Sequence, residues 1–277
     1  MFFLYPYIGG FLKTVLQNSL WIIPLAILFS LLLTTIIISL IVNQILEFMP
    51  LEAHLNPVNK IIGVFPGAIN GLLYATLLSW LLLMIPISNW ISNETRESKI
   101  AQELTLNLER IENRLKPEFK DAISRTMQRT IIEEGPNEMV RLPFLVTETS
   151  PKPALEQEML EMLNKERERH QLKPLEADTQ LREMAREHSR DMFARSYFSH
   201  VSPNGRTPYD RAIKHNVRFL TIGENLALAQ TLPIAHDGLM KSPGHRANIL
   251  QPAFRKVGIG VIDGGVYGLM ITQNFKN

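Results

Sequence analysis

Cysteine is absent from this 277-residue chain, which excludes disulfides, thiolate zinc sites and a cysteine nucleophile while leaving the compartment open. Charge is nearly absent from its first third. Of 29 basic and 27 acidic side chains, only Lys13, Glu47, Glu52 and Lys60 precede residue 91. The net charge is +2 with no long run of one sign, so no footprint for nucleic acid is present. HExxH, GxSxG and a phosphate-cradling Gly-rich loop are missing as well, which removes the usual signatures of zincins, serine hydrolases and nucleotide binders.

The scarcity of charge points to two solvents for one chain. Leu20–Val42 and Ile61–Ile87 carry no charge, and at about 1.5 Å per residue each is long enough for a hydrocarbon core of roughly 30 Å. A membrane hairpin is expected, with spans at about 20–46 and 61–88 and a turn through Glu47–Lys60. A cleavable signal peptide fits less well, because no basic segment beyond Lys13 precedes the first stretch and a second follows directly. Phe2–Leu12 is too short to span alone. In the second span Gly63, Gly67, Gly71, Ala75 and Ser79 recur every four residues. They form a small-residue face suited to close helix packing or self-association in the lipid bilayer. Neither span holds an acidic or basic residue, so the usual signature of a proton or ion path is missing.

The polar remainder divides in two. Ile100, Leu104, Leu108, Ile111 and Leu115, then Phe119, Ile123, Met127 and Ile131, recur at helical spacing and predict an amphipathic stem. Four prolines between 136 and 153 make an extended linker. From about residue 153 the chain reads as one α+β unit. Leu155, Met159, Met162 and Leu163 mark one helix. Leu181, Met184, Ala185, His188 and Met192 mark another, with Asp178 as N-cap. His188 is expected to be a hydrogen-bonded core histidine rather than a ligand. Thr207-Pro208 opens a short helix, and Asp263-Gly264-Gly265 joins strands expected at Val257–Ile262 and Val266–Phe275. Chemistry concentrates in His200, Glu224 and His245: imidazole and carboxylate bind zinc-like metals or carry protons near neutral pH. Their spacing requires a fold, not one helix, to bring them together.

LNKERERHQLKPLEADTQLREMAREHSRDMFARSYFSHVSPNG, followed by GENLA, SPGHRANIL and VGIGV, resembles a bacterial member of the CAP (SCP/pathogenesis-related-1) superfamily across 153–275. The resemblance implies an α-β-α sandwich with a central antiparallel sheet. It also implies an open cleft in which His200 of the FSH segment, Glu224 of GENLA and His245 of SPGHRANIL are site residues, with Asn225 and Ser242 beside them. Ser242 stands near where the eukaryotic pattern has a second acid, and Leu239 where a tryptophan is frequent. That leaves at most a three-ligand site for a divalent metal (zinc, calcium or magnesium) with one position open. Upstream, LNPVNKIIGVFPGAINGLLYATLLSWLLL and ESKIAQEL resemble the later part of the CvpA (colicin V production protein) family, within about 1–104.

The expected organisation is a CvpA-like membrane region at 1–92, a stem and linker at 93–152, and a CAP domain at 153–277. The reading is a multi-pass cell-membrane protein whose CAP cleft, outside the cell, binds an envelope lipid, glycan or peptide without catalysis. Two alternatives remain at this stage. One is a hydrolase with Glu224 as base and His200 and His245 on metal or substrate; the other is an export component with the CAP domain as sensor. Lysines and arginines near the spans would put both chain ends inside the cell, whereas the CAP resemblance implies an external domain.

Overall fold

A computed structural model describes residues 4–16, 22–47, 57–84, 94–104 and 139–277. They fall into two compact units. The N-terminal unit is helical: α1 (Tyr5–Leu16), α2 (Ile22–Glu47) and α3 (Pro57–Met84). The short apolar segment expected before the first span is α1, which packs on the start of α2 through Leu12, Ile22 and Ala26, with Tyr5, Ile8, Leu16 and Leu25 around them. Beyond that contact α2 is unusual for a helix in water. Leu32, Leu33, Ile36, Ile37, Ile38, Leu40 and Ile41 are all exposed among the described residues, an apolar surface of the kind that lipid or another apolar surface covers. Among the described residues one stretch, Leu25–Gln44, meets the length and composition of a membrane span. α3 starts at Pro57, inside the expected turn, with Pro66 in its interior; proline is favoured in the first helical turn because its missing N–H has no partner to lose. Among the described residues, nothing outside their own helix backbone comes within 4 Å of where a Cβ would stand on Gly67 or Gly71. The expected stem beyond residue 104 lies outside the described residues.

The C-terminal unit is a three-layer sandwich. Its elements are β1 (Val140–Arg141), β2 (Ser150–Pro151), α4 (Pro153–Arg169), β3 (Glu176–Ala177), α5 (Thr179–Ala194), β4 (Tyr197–Phe198), α6 (Pro208–Lys214), β5 (Ile222–Ala229), α7 (Leu232–Lys241), α8 (Pro243–Ile249), β6 (Lys256–Asp263) and β7 (Leu269–Lys276). The sheet runs β2-β6-β7-β5, with β3 also on β6 and β1 paired separately with β4. All pairings are antiparallel except β3 on β6.

Strand alternation sorts the core into two layers. Val257, Ile259 and Val261 of β6, with Leu269, Ile271 and Phe275 of β7, meet Met159 and Leu163 of α4 and Ile234, Ala235 and Leu239 of α7. On the opposite face Leu226, Leu228, Ile262 and Met270 meet Met192, Phe193, Tyr197 and Phe198. The caps form as read: Asp178 accepts from Leu181 N at 3.0 Å, and Thr207 forms a capping box with Asp210. The hairpin differs. Gly265–Tyr267 is a 3-10 turn, Gly264 N donates to Gly268 O, and the second strand begins at Leu269 rather than Val266. Gly265 and Gly268 both take positive φ, so a longer glycine-shaped loop replaces the tight turn.

The glycines of VGIGV let α5 approach the sheet. A Cβ at Gly258 would stand 2.1 Å from the Leu181 carbonyl carbon, and one at Gly260 would stand 2.4 Å from Arg186 N. Both obstacles are helix backbone, which no rotamer change relieves. Gly258→Ala is therefore expected to destabilise the C-terminal unit by about 3 kcal/mol or more. Thermal unfolding of the full chain in detergent checks this, and an unchanged midpoint would contradict the packing.

Candidate functional site at the edge strand

Among the described residues β5 pairs only with β7 and so forms an edge of the sheet. Along it Glu224, Leu226 and Leu228 face the α5 layer, while Asn225, Ala227 and Ala229 face α7 and α8. The loop after β4 brings in His200. α6 brings in Arg211, and α5 brings in His188.

Glu224 is buried at 6% exposure and is held on several sides. Arg211 Nη2 donates to both of its oxygens at 2.8 Å. His200 Nδ1 donates to Oε1 at 2.9 Å. His188 Nε2 stands 4.0 Å from the same oxygen while donating to Ser199 O at 3.0 Å. Burial alone would raise the Glu224 pKa, but the Arg211 guanidinium, with His188 and His200, outweighs it and holds the carboxyl down at about 2. His188 is pushed down to about 4 by burial, against the pull of Glu224. It is the hydrogen-bonded core histidine that the sequence suggested, yet it borders the site directly.

On the other side of β5 a chain of amides fixes α8. Asn225 Nδ2 donates to His245 O and to Gln273 Oε1, each at 3.1 Å. Asn248 Nδ2 donates to Asn225 Oδ1 at 2.9 Å and to Glu224 O at 3.1 Å. The last of these covers a backbone acceptor on the open edge of the strand. From behind, Arg167 is fully buried and donates to Lys173 O, Ile249 O, Gln251 O and Phe254 O. Its charge rests against carbonyls at the negative end of α8 instead of a carboxylate. His245, pinned through its own carbonyl, is lowered to about 4 by burial and by His200. The two imidazoles thus approach from opposite layers across the edge of β5. Ser242 joins α7 to α8 as the cap residue of both, and Leu239 is part of the core behind it.

A three-ligand metal site does not assemble from these residues. Both Glu224 oxygens already serve a guanidinium, whose positive charge would repel a cation placed there. Among the described residues no group of three His, Asp or Glu side chains is arranged to hold a metal. Ser199 Oγ accepts from Val201 N at 3.2 Å, and Ser202 Oγ lies 3.4 Å from Arg211 Nη1. Each is engaged locally rather than activated by His200. Polar atoms accumulate beneath Glu224: His188 Nδ1, Arg211 Nε and both amide atoms of its cross-strand neighbour Asn274 are buried without a protein partner. So many orphaned groups mark a place where packing is not the only demand.

Arg211, Asn248, Gln273 and Arg167 escaped the sequence reading. Arg167, inside LNKERERH, and Asn248, inside SPGHRANIL, lay in segments already singled out, but no role was read for either.

This sandwich, with its two-histidine, one-glutamate edge site, is a CAP domain: the Cysteine-rich secretory protein family (CAP) matches residues 160–275. The Colicin V production protein family matches residues 1–108. The chain is therefore a membrane-associated CAP protein that joins the two. It is 39% identical over 113 residues to the uncharacterized protein YkwD of Bacillus subtilis (strain 168), covering 40% of this chain and 44% of the relative. It is 38% identical over 121 residues to the uncharacterized membrane protein YlbC of the same organism, covering 43% of this chain and 34% of that one. The chain thus spans less than half the length of these curated relatives. Among solved structures, an extracellular protein containing a SCP domain from Bacillus anthracis str. Ames matches at 37% identity and a TM-score of 0.41, covering 45% of this chain and 40% of that one.

The pKa shifts set an acid limit on stability. The Glu224 carboxyl falls from an ordinary 4.5 to about 2. Its stabilising share is complete above pH 4.5 and is lost as pH falls toward 2. His188 and His245 fall from 6.5 to about 4, so their share is complete above pH 6.5 and is lost as pH falls through 4. Stability of the full chain is expected to decline from pH 6.5 downward. Glu224→Gln should flatten the part of the decline below 4.5 and lower stability at pH 7, because Arg211 then lies buried without a counter-ion. Arg211→Met leaves the opposite charge unpaired, with an expected cost of about 3–5 kcal/mol at pH 7. Chemical denaturation across pH checks both variants; a Glu224→Gln profile parallel to wild type would refute the assignment.

Proposed function

We propose that the edge-strand cleft is a binding site for a cell-envelope component (lipid, glycan or peptide), presented outside the cell by a multi-pass membrane anchor, and that it does not catalyse. The observation that carries this reading is the state of Glu224. A carboxylate that shares both oxygens with Arg211 and sits near pKa 2 is far too weak a base to take a proton at neutral pH. It serves instead to hold His200 by Nδ1 and to set its ring toward the cleft. His245, held by its main chain, presents an uncharged imidazole from the other layer. An imidazole from each layer at a strand edge suits hydrogen bonding to a polar ligand better than attack on one.

The anchor reading rests on the exposed apolar face of α2 and on the uncharged second stretch, which together would make the hairpin. Self-association through Gly67 and Gly71 is part of the same proposal, since their open helix face admits a second helix closely.

Two measurements test the proposal. In intact cells, added protease should digest the domain from Met139 to Asn277; a fully protected domain overturns the external orientation. Purified full chain in detergent should be retained on cell-wall sacculi or on envelope-lipid vesicles. His200→Ala with His245→Ala should reduce that retention about tenfold, the scale of one lost hydrogen bond left unpaired on binding. Release of cleaved products by the wild-type chain would sink the non-catalytic reading.

A further inference from the structure

Residues 94–96 fold with the C-terminal unit rather than with the helices that precede them. Glu94 is exposed, but Thr95 and Arg96 are buried, Arg96 to 3%. Its guanidinium enters the end of the sheet opposite Glu224, where β5 finishes and β6 turns into β7. Nε donates to Gln230 O at 2.7 Å, Nη1 to Asp263 Oδ1 at 2.9 Å, and Nη2 to Gly265 O at 2.6 Å. Asp263 is itself buried and is already shaped as an acceptor: Gly265 N donates to Oδ1 at 2.8 Å, and Lys152 Nζ stands 3.3 Å from Oδ2. Three acceptors from two chain segments match the planar fork of an arginine, which a lysine cannot span. Side chains of surface segments seldom lose their water this completely, and a buried charge this well paired is held firmly.

We infer that residues 94–96 form a strap, with Arg96 as its latch in an arginine-recognising socket of Gln230, Asp263 and Gly265, that secures the CAP domain ahead of its own linker. The domain is then fastened at residues 94–96, ahead of the Pro-rich stretch that precedes β2 in sequence. The latch also grips Gln230, the residue that follows β5, so the strand carrying Glu224 and Asn225 is clamped at its far end. The socket does not depend on what the cleft binds.

Hydrogen exchange of the full chain in lipid nanodiscs tests the latch. Amides of 264–268 and 230–234 should exchange about tenfold faster in Arg96→Ala, the factor for one lost charge-assisted hydrogen bond. Arg96→Lys should lie between that variant and wild type. Lys99→Ala removes an exposed charge nearby and should change nothing; equal exchange in Arg96→Ala and Lys99→Ala overturns the inference. Because the chain has no cysteine, spin labels at Glu94→Cys and Leu145→Cys report the strap with Arg96 intact. One narrow distance is expected, and a broad distribution overturns the strap even if the alanine variant does not fold. Neither readout involves cleft binding or protease access in cells, so each proposal stands or fails separately.

Discussion

The buried carboxylate of Glu224 is the constraint around which the C-terminal unit is arranged. An ionised side chain at the edge of a hydrophobic sheet would cost several kcal/mol if left alone. Here it draws Arg211 from α6, His200 from the loop after β4 and His188 from α5. Those contacts explain why α6, only two turns long, carries both a capping box and a buried arginine. They also explain why the 200–207 loop is folded back: Arg211 holds His200 O and Arg206 O as well. One charge thus organises three otherwise separate segments on one face of β5.

The opposite face uses neutral groups for the same purpose. Asn225, Asn248 and Gln273 share donors and acceptors in a chain that fixes α8 to the strand, and Arg167 closes the far end of α8 with carbonyl contacts. Because Asn225 follows Glu224 directly, consecutive side chains on β5 address opposite layers. His200 and His245 are therefore registered against each other through a single strand. A shift of β5 by one residue would exchange the two networks and break both, which makes the site stringent about strand register. The far end of the strand, gripped by Arg96 through Gln230, is held by a segment distant in sequence.

Parts of this arrangement were legible in the chain beforehand. Asp178 and Thr207 announce helix starts because capping chemistry is local. The strands on either side of Asp263-Gly264-Gly265 announce themselves for the same reason, since a turn signal is local too. The small residues of VGIGV were visible, although their purpose, contact with the backbone of α5, was not. The turn after Asp263 was misread by three residues, because a 3-10 turn with two positive-φ glycines looks in sequence much like a tight Gly-Gly hairpin. Of the site residues, His200, Glu224 and His245 stood out through their motif segments. Arg211 and Arg167 did not, since a lone arginine in a polar stretch is usually a solvated one.

What the sequence determined by itself was the contrast between a charge-poor first third and a charged remainder, three helices and the terminal strand pair of the C-terminal unit, and the segments that hold His200, Glu224 and His245. Each follows from interactions between near neighbours or from the bulk preference of a long segment. What only the tertiary structure decided was the state of that chemistry. Whether Glu224 acts as a base or as half of a buried ion pair depends on an arginine thirteen residues away. Whether Arg96 is a surface charge or a latch depends on an aspartate 167 residues away. Electrostatic roles are set by distance and burial in space, and separation along the chain records neither.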